Sequence, residues 1–448
     1  PRADDSGGNA EYPQHDAPGD GARDRSGPCQ GREQAHKHML DGAPANKRLD
    51  IVRRMTQSQA KRVLLVTHTG EVGGAETAML RLVDALDPAR FTTSAILLAD
   101  GPLVEQLRSR QTPTTVLEVG ALARVTRGES GSARRFVRNA FDSLRVIRGL
   151  RGRIAAEKPD LVVANSLKSA VLLWVAAPLA GRPWIWHLHD RIAGDYVPRP
   201  VVGMLQFLAR FGPRKVIANS RATADTVGGA SARVVIAYPG IPQDWFTGTF
   251  DRESGSAVGI VGRISATKGQ FEFLDAVELL GTKAASLRFR IVGAALFEDA
   301  ATELAVKEKV AASEVLRQVE LAGWPDDPVR EMAQLRVLVQ ASPVPEPFGQ
   351  VIVEAMAVGT PVIATDAGGV PEILSPLGKR VEIADGVARG EFGILVRPGD
   401  ARALADAILW AMTHDELVME MARNAYLSAR ARFAIEQTSR IVQDVWSV

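Results

Sequence analysis

Two glutamates, Glu346 and Glu354, stand with seven residues between them in the stretch PEPFGQVIVEAMAVGTPVIATDAGGVP. Pro347 suits the first position of a helix because the N–H that it lacks is not needed there. Gly349 lets the backbone approach a ligand closely, and the free N–H groups of a helix start attract a phosphate. We predict a pocket in which this helix start holds a diphosphate and the carboxylates accept hydrogen bonds from sugar hydroxyls. The alternative is a pair of acids that flank helices on a solvated surface.

A second glycine loop, Ala367-Gly368-Gly369, follows a short strand and is expected to lie with exposed backbone beside the first. The E-x7-E spacing, the Phe-Gly pair and the continuation GTPVIATDAGGVPEI resemble the donor-site signature of family-4 retaining glycosyltransferases, which have the GT-B fold. This resemblance implies that Glu346 lies against the transferred sugar and that Glu354 binds the nucleotide ribose. It assigns sugar and phosphate contacts to the backbone of Phe348, Gly349, Gln350 and Val351.

The first predicted core strand, at residues 61–68, ends in a glycine loop that contains Gly73 and Gly74, and a helix starts near Glu76. Strand, glycine loop and helix form a phosphate-binding arrangement, but the dinucleotide fingerprint G-x-G-x-x-G is absent. A simple tight turn is the alternative. In the resembled family, such a Gly-Gly pair faces the donor phosphates and the acceptor across a cleft.

Two cations, Arg263 and Lys268, follow the predicted strand at residues 256–263. Cations on a loop are usually solvated, yet the pattern GRxxxxKG resembles the diphosphate-binding pair of the same family. Arginine can grip two oxygens, whereas lysine acts as a point charge. The resemblance places Trp324 at the position where the backbone of that family contacts the nucleotide base. The Trp324 side chain either stacks on that base or fills the core.

His187 and His189 alternate along the predicted strand at residues 184–189. They do not predict a zinc site, because no third ligand has suitable spacing. For His187, a structural role at the strand end, in which the ring nitrogens form hydrogen bonds, is as good an explanation as a functional role. The resemblance places His189 near the transferred sugar and the acceptor, so Glu346, His189, Arg263 and Lys268 are the predicted catalytic residues. We expect no metal ion, because Asp326-Asp327 is better explained as a helix cap than as a metal motif.

Strands alternate with helices along most of the chain, which indicates α/β structure with parallel sheets and ligands at the carboxyl ends of the strands. The length of 448 residues favours two domains. We predict a GT-B fold of two doubly wound, Rossmann-like domains. The boundaries are an acceptor-side domain at 61–245, a nucleotide-sugar domain at 246–432 and a returning helix at 433–448. Residues 1–60 lack apolar periodicity and are expected to be a disordered tail or a remnant of an expression vector.

Composition is that of an ordinary soluble protein, with 46% hydrophobic and 24% charged residues and a net charge of +2. A single cysteine, Cys29, excludes an internal disulfide, and no secretory signal is visible. We therefore expect a cytoplasmic protein without a nucleic-acid partner. Residues 121–153 interleave arginines with apolar residues, which predicts either peripheral contact with an anionic membrane at its inner face or a solvated arginine face.

The observations and the resemblance together predict a metal-independent glycosyltransferase of the hexosyltransferase type that needs no cofactor, and the resemblance implies that it retains configuration. Its donor is a nucleotide-diphosphate sugar, and its acceptor is a hydroxyl on a glycan, a lipid-linked molecule or a small molecule. A sugar-nucleotide epimerase and a non-catalytic sugar-nucleotide-binding subunit on the same fold are the alternatives.

Overall fold

The structure is a computed structural model that describes residues 60–117, 133–228, 233–248, 250, 257–296, 299–325 and 327–447, with backbone only at 133–142 and 284. Residues 1–59 of the predicted tail, Asp326 and residues 121–132 of the basic segment lie outside the described residues. Among the helices that are described, none is long and apolar enough to cross a membrane.

The first sheet has seven parallel strands in the order β3-β2-β1-β4-β5-β6-β7. Apolar runs such as VLLV in β1 are buried on both sides, as parallel strands covered by helices must be. The strands are β1 Lys61–Thr67, β2 Phe91–Leu97, β3 Thr114–Val116, β4 Leu161–Ala164, β5 Trp184–Leu188, β6 Val216–Ala218 and β7 Val234–Ile236.

Helices cover both faces of this sheet. They are α1 Gly74–Asp84, α2 Pro102–Ser109, α3 Ala133–Glu157, α4 Leu167–Leu179, α5 Arg199–Phe211 and α6 Arg221–Asp225. One face packs against α3, α4 and α5 through a core that includes Leu150, Leu173 and Leu205. The other face packs against α1 and α2 and receives the last helix of the chain.

The second sheet has eight strands in the order β10-β9-β8-β11-β12-β15-β14-β13. They are β8 Ala257–Val261, β9 Arg288–Val292, β10 Val319–Gly323, β11 Leu335–Gln340, β12 Val362–Thr365, β13 Val381–Ala384, β14 Val387–Arg389 and β15 Ile394–Val396. Strands β14 and β13 form an antiparallel edge of this sheet, because β14 pairs antiparallel with both β13 and β15. Strands β13 and β14 were not predicted from the sequence, although the Asp385-Gly386 pair between them is a hairpin signal.

The helices of this second half are α7 Gln270–Leu280, α8 Ala300–Ala312, α9 Pro328–Ala333, α10 Gln350–Val358, α11 Val370–Leu374, α12 Ala401–Thr413, α13 Asp415–Arg432 and α14 Ile435–Ser447. The sequence pattern of residues 401–431 is helical throughout, but the structure divides this stretch into α12 and α13. The helix is interrupted at His414, whose ring stacks on the Trp410 ring with the two ring centroids 4.3 Å apart.

The chain crosses between the two sheets at two adjacent places. The Ile241 N–H donates to the Phe433 carbonyl at 2.8 Å, and the Ile435 N–H donates to the Ile241 carbonyl at 3.0 Å. A Cβ atom on Gly240 would lie 2.5 Å from the Cα of Ile435, so only glycine fits there. Helix α14 then packs on the first sheet, where the Trp446 side chain is fully buried.

Candidate active site

A cleft of about 1,210 Å³ lies between the carboxyl ends of the two sheets. This volume is sufficient for a nucleotide sugar, since small-molecule sites commonly span roughly 300–1,000 Å³. The cleft brings together every residue that the sequence analysis assigned to the site. These are Gly73, Gly74, His189, Arg263, Lys268, Trp324, Glu346, Phe348, Gly349, Gln350, Val351 and Glu354.

The N-terminus of α10 forms one wall of the cleft. Gly349 precedes the helix with φ +105°, a left-handed conformation that L side chains rarely adopt. The first N–H groups of α10 have no partners within the helix, so they are available to an anionic group. Phe348 anchors this turn in the core beneath the site.

The second glycine loop braces the first. A Cβ atom on Gly368 would lie 2.0 Å from the Glu346 carbonyl oxygen, which only glycine avoids. The Gly369 N–H donates to that same carbonyl at 2.8 Å. The expectation that this loop exposes its backbone was therefore wrong for Gly369, whose N–H fixes the position of Glu346.

The predicted diphosphate-binding cations lie at the same loop, each beside a carboxylate. Lys268 Nζ lies 2.7 Å from Glu346 Oε1, and Arg263 Nη1 lies 3.1 Å from Asp299 Oδ2. The Glu346 side chain is 12% exposed and the Lys268 side chain is 35% exposed, so the ion pair is shielded from water mainly on the glutamate side. An anionic ligand at this loop meets two cations and one helix N-terminus.

Glu354 forms an ion pair with a residue that the sequence analysis did not select. Arg81 Nη2 donates to Glu354 Oε1 at 2.7 Å across the cleft, and these side chains are only 7% and 13% exposed. The Arg81 guanidinium also lies over the Trp245 ring, 4.4 Å from its centroid. The available signal was a charged residue inside the apolar run MLRLV of α1.

The glycine loop before α1 is held by Glu76, another residue that the sequence analysis left unassigned. Glu76 Oε2 accepts from the Gly73 N–H at 3.2 Å, and Oε1 accepts from the Thr67 hydroxyl at 3.3 Å. Burial raises the pKa of Glu76 to about 7. The Gly73 N–H is thus used within the loop, while the Gly74 carbonyl accepts from Gln350 Nε2 at 2.8 Å.

The two histidines have different surroundings. His189 lines the cleft, its Nε2 lies 3.1 Å from Asn165 Oδ1, and burial lowers its pKa to about 4. His187 faces the Trp446 ring at 5.9 Å, and burial lowers its pKa to about 3. Both imidazoles are therefore neutral at pH 7, and only His189 can reach a molecule in the cleft.

Trp324 and Asp327 follow strand β10. The Trp324 side chain is 55% exposed and lines the cleft, so the core-filling explanation is wrong. Asp327 caps α9 by accepting from the Arg330 N–H at 3.0 Å. Within the described ranges, no group of three His, Cys, Asp or Glu side chains is arranged to hold a metal ion.

Two Rossmann-like sheets that face each other across a ligand-sized cleft define an α/β protein of the GT-B type. The model described as "Glycosyltransferase Family 4" matches residues 72–245, and the model described as "Glycosyl transferases group 1" matches residues 248–428. The chain belongs to glycosyltransferase family 4, and its activity is glycosyl transfer.

Similar proteins agree with this assignment. The chain is 26% identical to the D-inositol 3-phosphate glycosyltransferase of Streptomyces bingchenggensis, over 93% of this chain and 94% of that relative. It is 28% identical to the phosphatidyl-myo-inositol mannosyltransferase of Mycobacterium leprae, over 56% of this chain and 55% of that relative. The crystal structure of Anabaena HepE in complex with UDP-glucose is 25% identical, with a TM-score of 0.69 over 86% of this chain and all of HepE.

Proposed function

We propose that the protein transfers a hexose from a nucleotide-diphosphate sugar to a hydroxyl acceptor, with retention of configuration and without a metal ion. The observation that carries the proposal is the 2.7 Å contact of Lys268 with Glu346 beside the N-terminus of α10. It joins the proposed diphosphate-binding cation to the carboxylate proposed to orient the sugar. The UDP-glucose complex of HepE supports a nucleotide sugar as donor.

The proposed donor site stabilises the charge that develops as the sugar leaves. Arg263, Lys268 and the first N–H groups of α10 face the diphosphate, whose negative charge grows when the bond to the sugar breaks. A bound diphosphate competes with Asp299 and Glu346 for these two cations. Cationic side chains at this position take the role that a metal ion has in other transferases, which supports metal independence.

Glu354 is proposed to hold the ribose hydroxyls through the carboxylate oxygens. Arg81 orients this carboxylate from the opposite wall, and Trp324 stacks on the nucleotide base. Because the ribose is unchanged during the reaction, this part of the site contributes equally to the ground state and the transition state.

On the acceptor side, we propose same-face attack. The acceptor oxygen bonds to the anomeric carbon as the bond to the phosphate oxygen breaks, and that phosphate oxygen takes the acceptor proton. His189 is neutral, and the Asn165 amide, whose Nδ2 donates to the Ala75 carbonyl, presents Oδ1 to His189 Nε2. His189 therefore donates to Asn165 through Nε2, and this hydrogen bond fixes the ring at the acceptor side of the cleft.

A lipid-linked acceptor is part of the proposal, as is a cytoplasmic protein in peripheral contact with the inner membrane face through residues 121–153. The name of the mycobacterial relative, a phosphatidyl-myo-inositol mannosyltransferase, supports a lipid acceptor. The arginines of this segment support contact with an anionic surface.

Thermal shift against a panel of sugar nucleotides, in the presence of a chelator, identifies the donor. Release of free sugar from the selected donor, followed by NMR of its anomeric signal before mutarotation, tests both turnover and retention. Turnover that needs an added divalent cation contradicts metal independence. Tight binding without release of sugar favours a non-catalytic subunit, and conversion of one sugar nucleotide into another favours an epimerase.

A further inference from the structure

Helices α3, α4 and α5 lie side by side on one face of the first sheet, and their outer sides form one surface, called here the α3–α5 surface. Large apolar side chains are exposed along it, with Phe207 at 53% and Phe211 at 59%. The ring centroids of these two phenylalanines lie 4.8 Å apart, and the centroids of Phe207 and Trp174 of α4 lie 6.3 Å apart. The other exposed apolar residues are Leu144, Val171, Leu179 and Met204.

The described part of α3 does not offer its apolar side to a membrane. Val146, Leu150 and Ile154 are buried in the core beside α4. The outward side of this helix carries arginines, and Arg151 Nε donates to the Leu179 carbonyl at the end of α4. The exposed apolar area of the α3–α5 surface therefore comes chiefly from α4 and α5.

The charge of this surface has one sign over long stretches. No Asp or Glu occurs within residues 143–156, 166–189 or 196–224. The exposed cations in these stretches are Arg145, Arg148, Arg151, Arg153, Lys168, Arg199, Arg210, Arg214 and Arg221. Exposed aromatic rings among cations match an interface that is negatively charged outside and apolar beneath.

We propose that the α3–α5 surface docks the protein on an anionic lipid bilayer, with Phe207 and Phe211 inserted at the headgroup level. The proposal rests on the lipid-linked acceptor of the proposed function and assigns membrane contact to α4 and α5 as well as to the exposed arginines in the described part of α3. A second copy of the chain fits less well, because a two-fold interface would set this cationic surface against itself.

The surface is connected to the cleft by a short loop. Asp190 and Tyr196 line the cleft, and the Tyr196 hydroxyl donates to Asp190 at 2.5 Å. Helix α5 starts three residues later at Arg199, and Phe207 follows at roughly 12 Å along the helix axis. An acceptor anchored in the bilayer would thus enter the cleft beside the docked surface.

The experiment is co-sedimentation of the full chain with phosphatidylcholine vesicles, with and without phosphatidylglycerol, at low and at physiological salt. We expect binding to the anionic vesicles only, and at least tenfold weaker binding for the double variant Phe207→Ser, Phe211→Ser. The control is Leu427→Ser on α13, which removes an apolar side chain that is 61% exposed and should leave binding unchanged. Arg145→Glu with Arg148→Glu should weaken binding most at low salt.

Absence of binding to anionic vesicles at low salt overturns the proposal, as does undiminished binding by the phenylalanine double variant. A wild-type dimer in light scattering that becomes a monomer in that variant assigns the surface to a second copy, which also overturns it. Circular dichroism and thermal shift with UDP verify that each variant is folded. Sugar release from the donor is measured separately without lipid, so failure of the glycosyltransferase proposal is distinguished from failure of membrane docking.

Discussion

Substitution of Glu76 by glutamine should change the pH dependence of stability. Burial raises the pKa of this carboxyl from 4.5 to about 7, so the folded protein binds its proton more tightly than the unfolded chain does. The stability that this group contributes is complete below pH 4.5 and is lost as the pH rises toward 7. Between pH 5 and pH 8 the loss is about 2–3 kcal/mol, obtained by integrating proton binding over these two pKa values.

Glu76→Gln carries no charge but keeps an oxygen that accepts from the Gly73 N–H. The measurement is urea unfolding of both proteins, followed by tryptophan fluorescence, at pH 5, 6, 7 and 8. The free energy of unfolding of the variant minus that of the wild type should increase by about 2–3 kcal/mol across this range. His68, His187 and His189 have lowered pKa values and cost stability below about pH 6.5, but they are present in both proteins and cancel.

Glu105→Gln, on the exposed side of α2, is the matched control for the loss of one negative charge. If the free energies of unfolding of Glu76→Gln and of the wild type change in parallel from pH 5 to pH 8, the Glu76 carboxyl has the same pKa in the folded and unfolded chains. That result would refute the inference that burial raises this pKa.

The remaining predictions concern the donor site and the last helix. Arg81→Met leaves the Glu354 carboxylate shielded and without its cation, so the donor KM should rise about tenfold or more while kcat changes less, and Arg81→Lys should restore part of the loss. Glu354→Ala should weaken donor binding about ten- to a hundredfold in calorimetry. Lys268→Ala and Arg263→Ala should each lower kcat on the order of a hundredfold, and unchanged turnover with unchanged diphosphate binding would show that the donor site is misassigned. Trp446→Ala should destabilise the protein by about 3–5 kcal/mol in chemical unfolding, and a loss below about 1 kcal/mol would show that α14 contributes little.

Much of the fold follows from local sequence patterns. The β-branched run in β1 and the glycines at strand ends predict buried parallel strands, and the sheet contains them with ends shifted by a residue or two. The edge strand β13 was missed because its side chains are half exposed, which leaves no continuous apolar run. The break at His414 was missed because apolar periodicity continues on both sides of it.

The donor site shows where local reasoning ends. The resemblance of their motifs to a family's donor site predicted that Glu346 and Lys268 would line one pocket, and the cleft contains both. The pairing of Arg81 with Glu354 joins residues 273 positions apart, and nothing in either segment specifies the other. The burial of Glu76 likewise depends on how α1 packs, which a single helix pattern does not determine.

The paired crossings at Ile241 and Phe433 restrict how the two halves of the enzyme can move. Two connections that lie side by side and share hydrogen bonds leave rotation about one hinge and oppose sliding of one half past the other. The angle at this hinge sets the distance between the Gly73-Gly74 loop and the start of α10, and therefore the width of the cleft. A single methyl group at Gly240, which would press on Ile435, would change that angle. It would thereby alter the rate of the reaction without contacting a substrate.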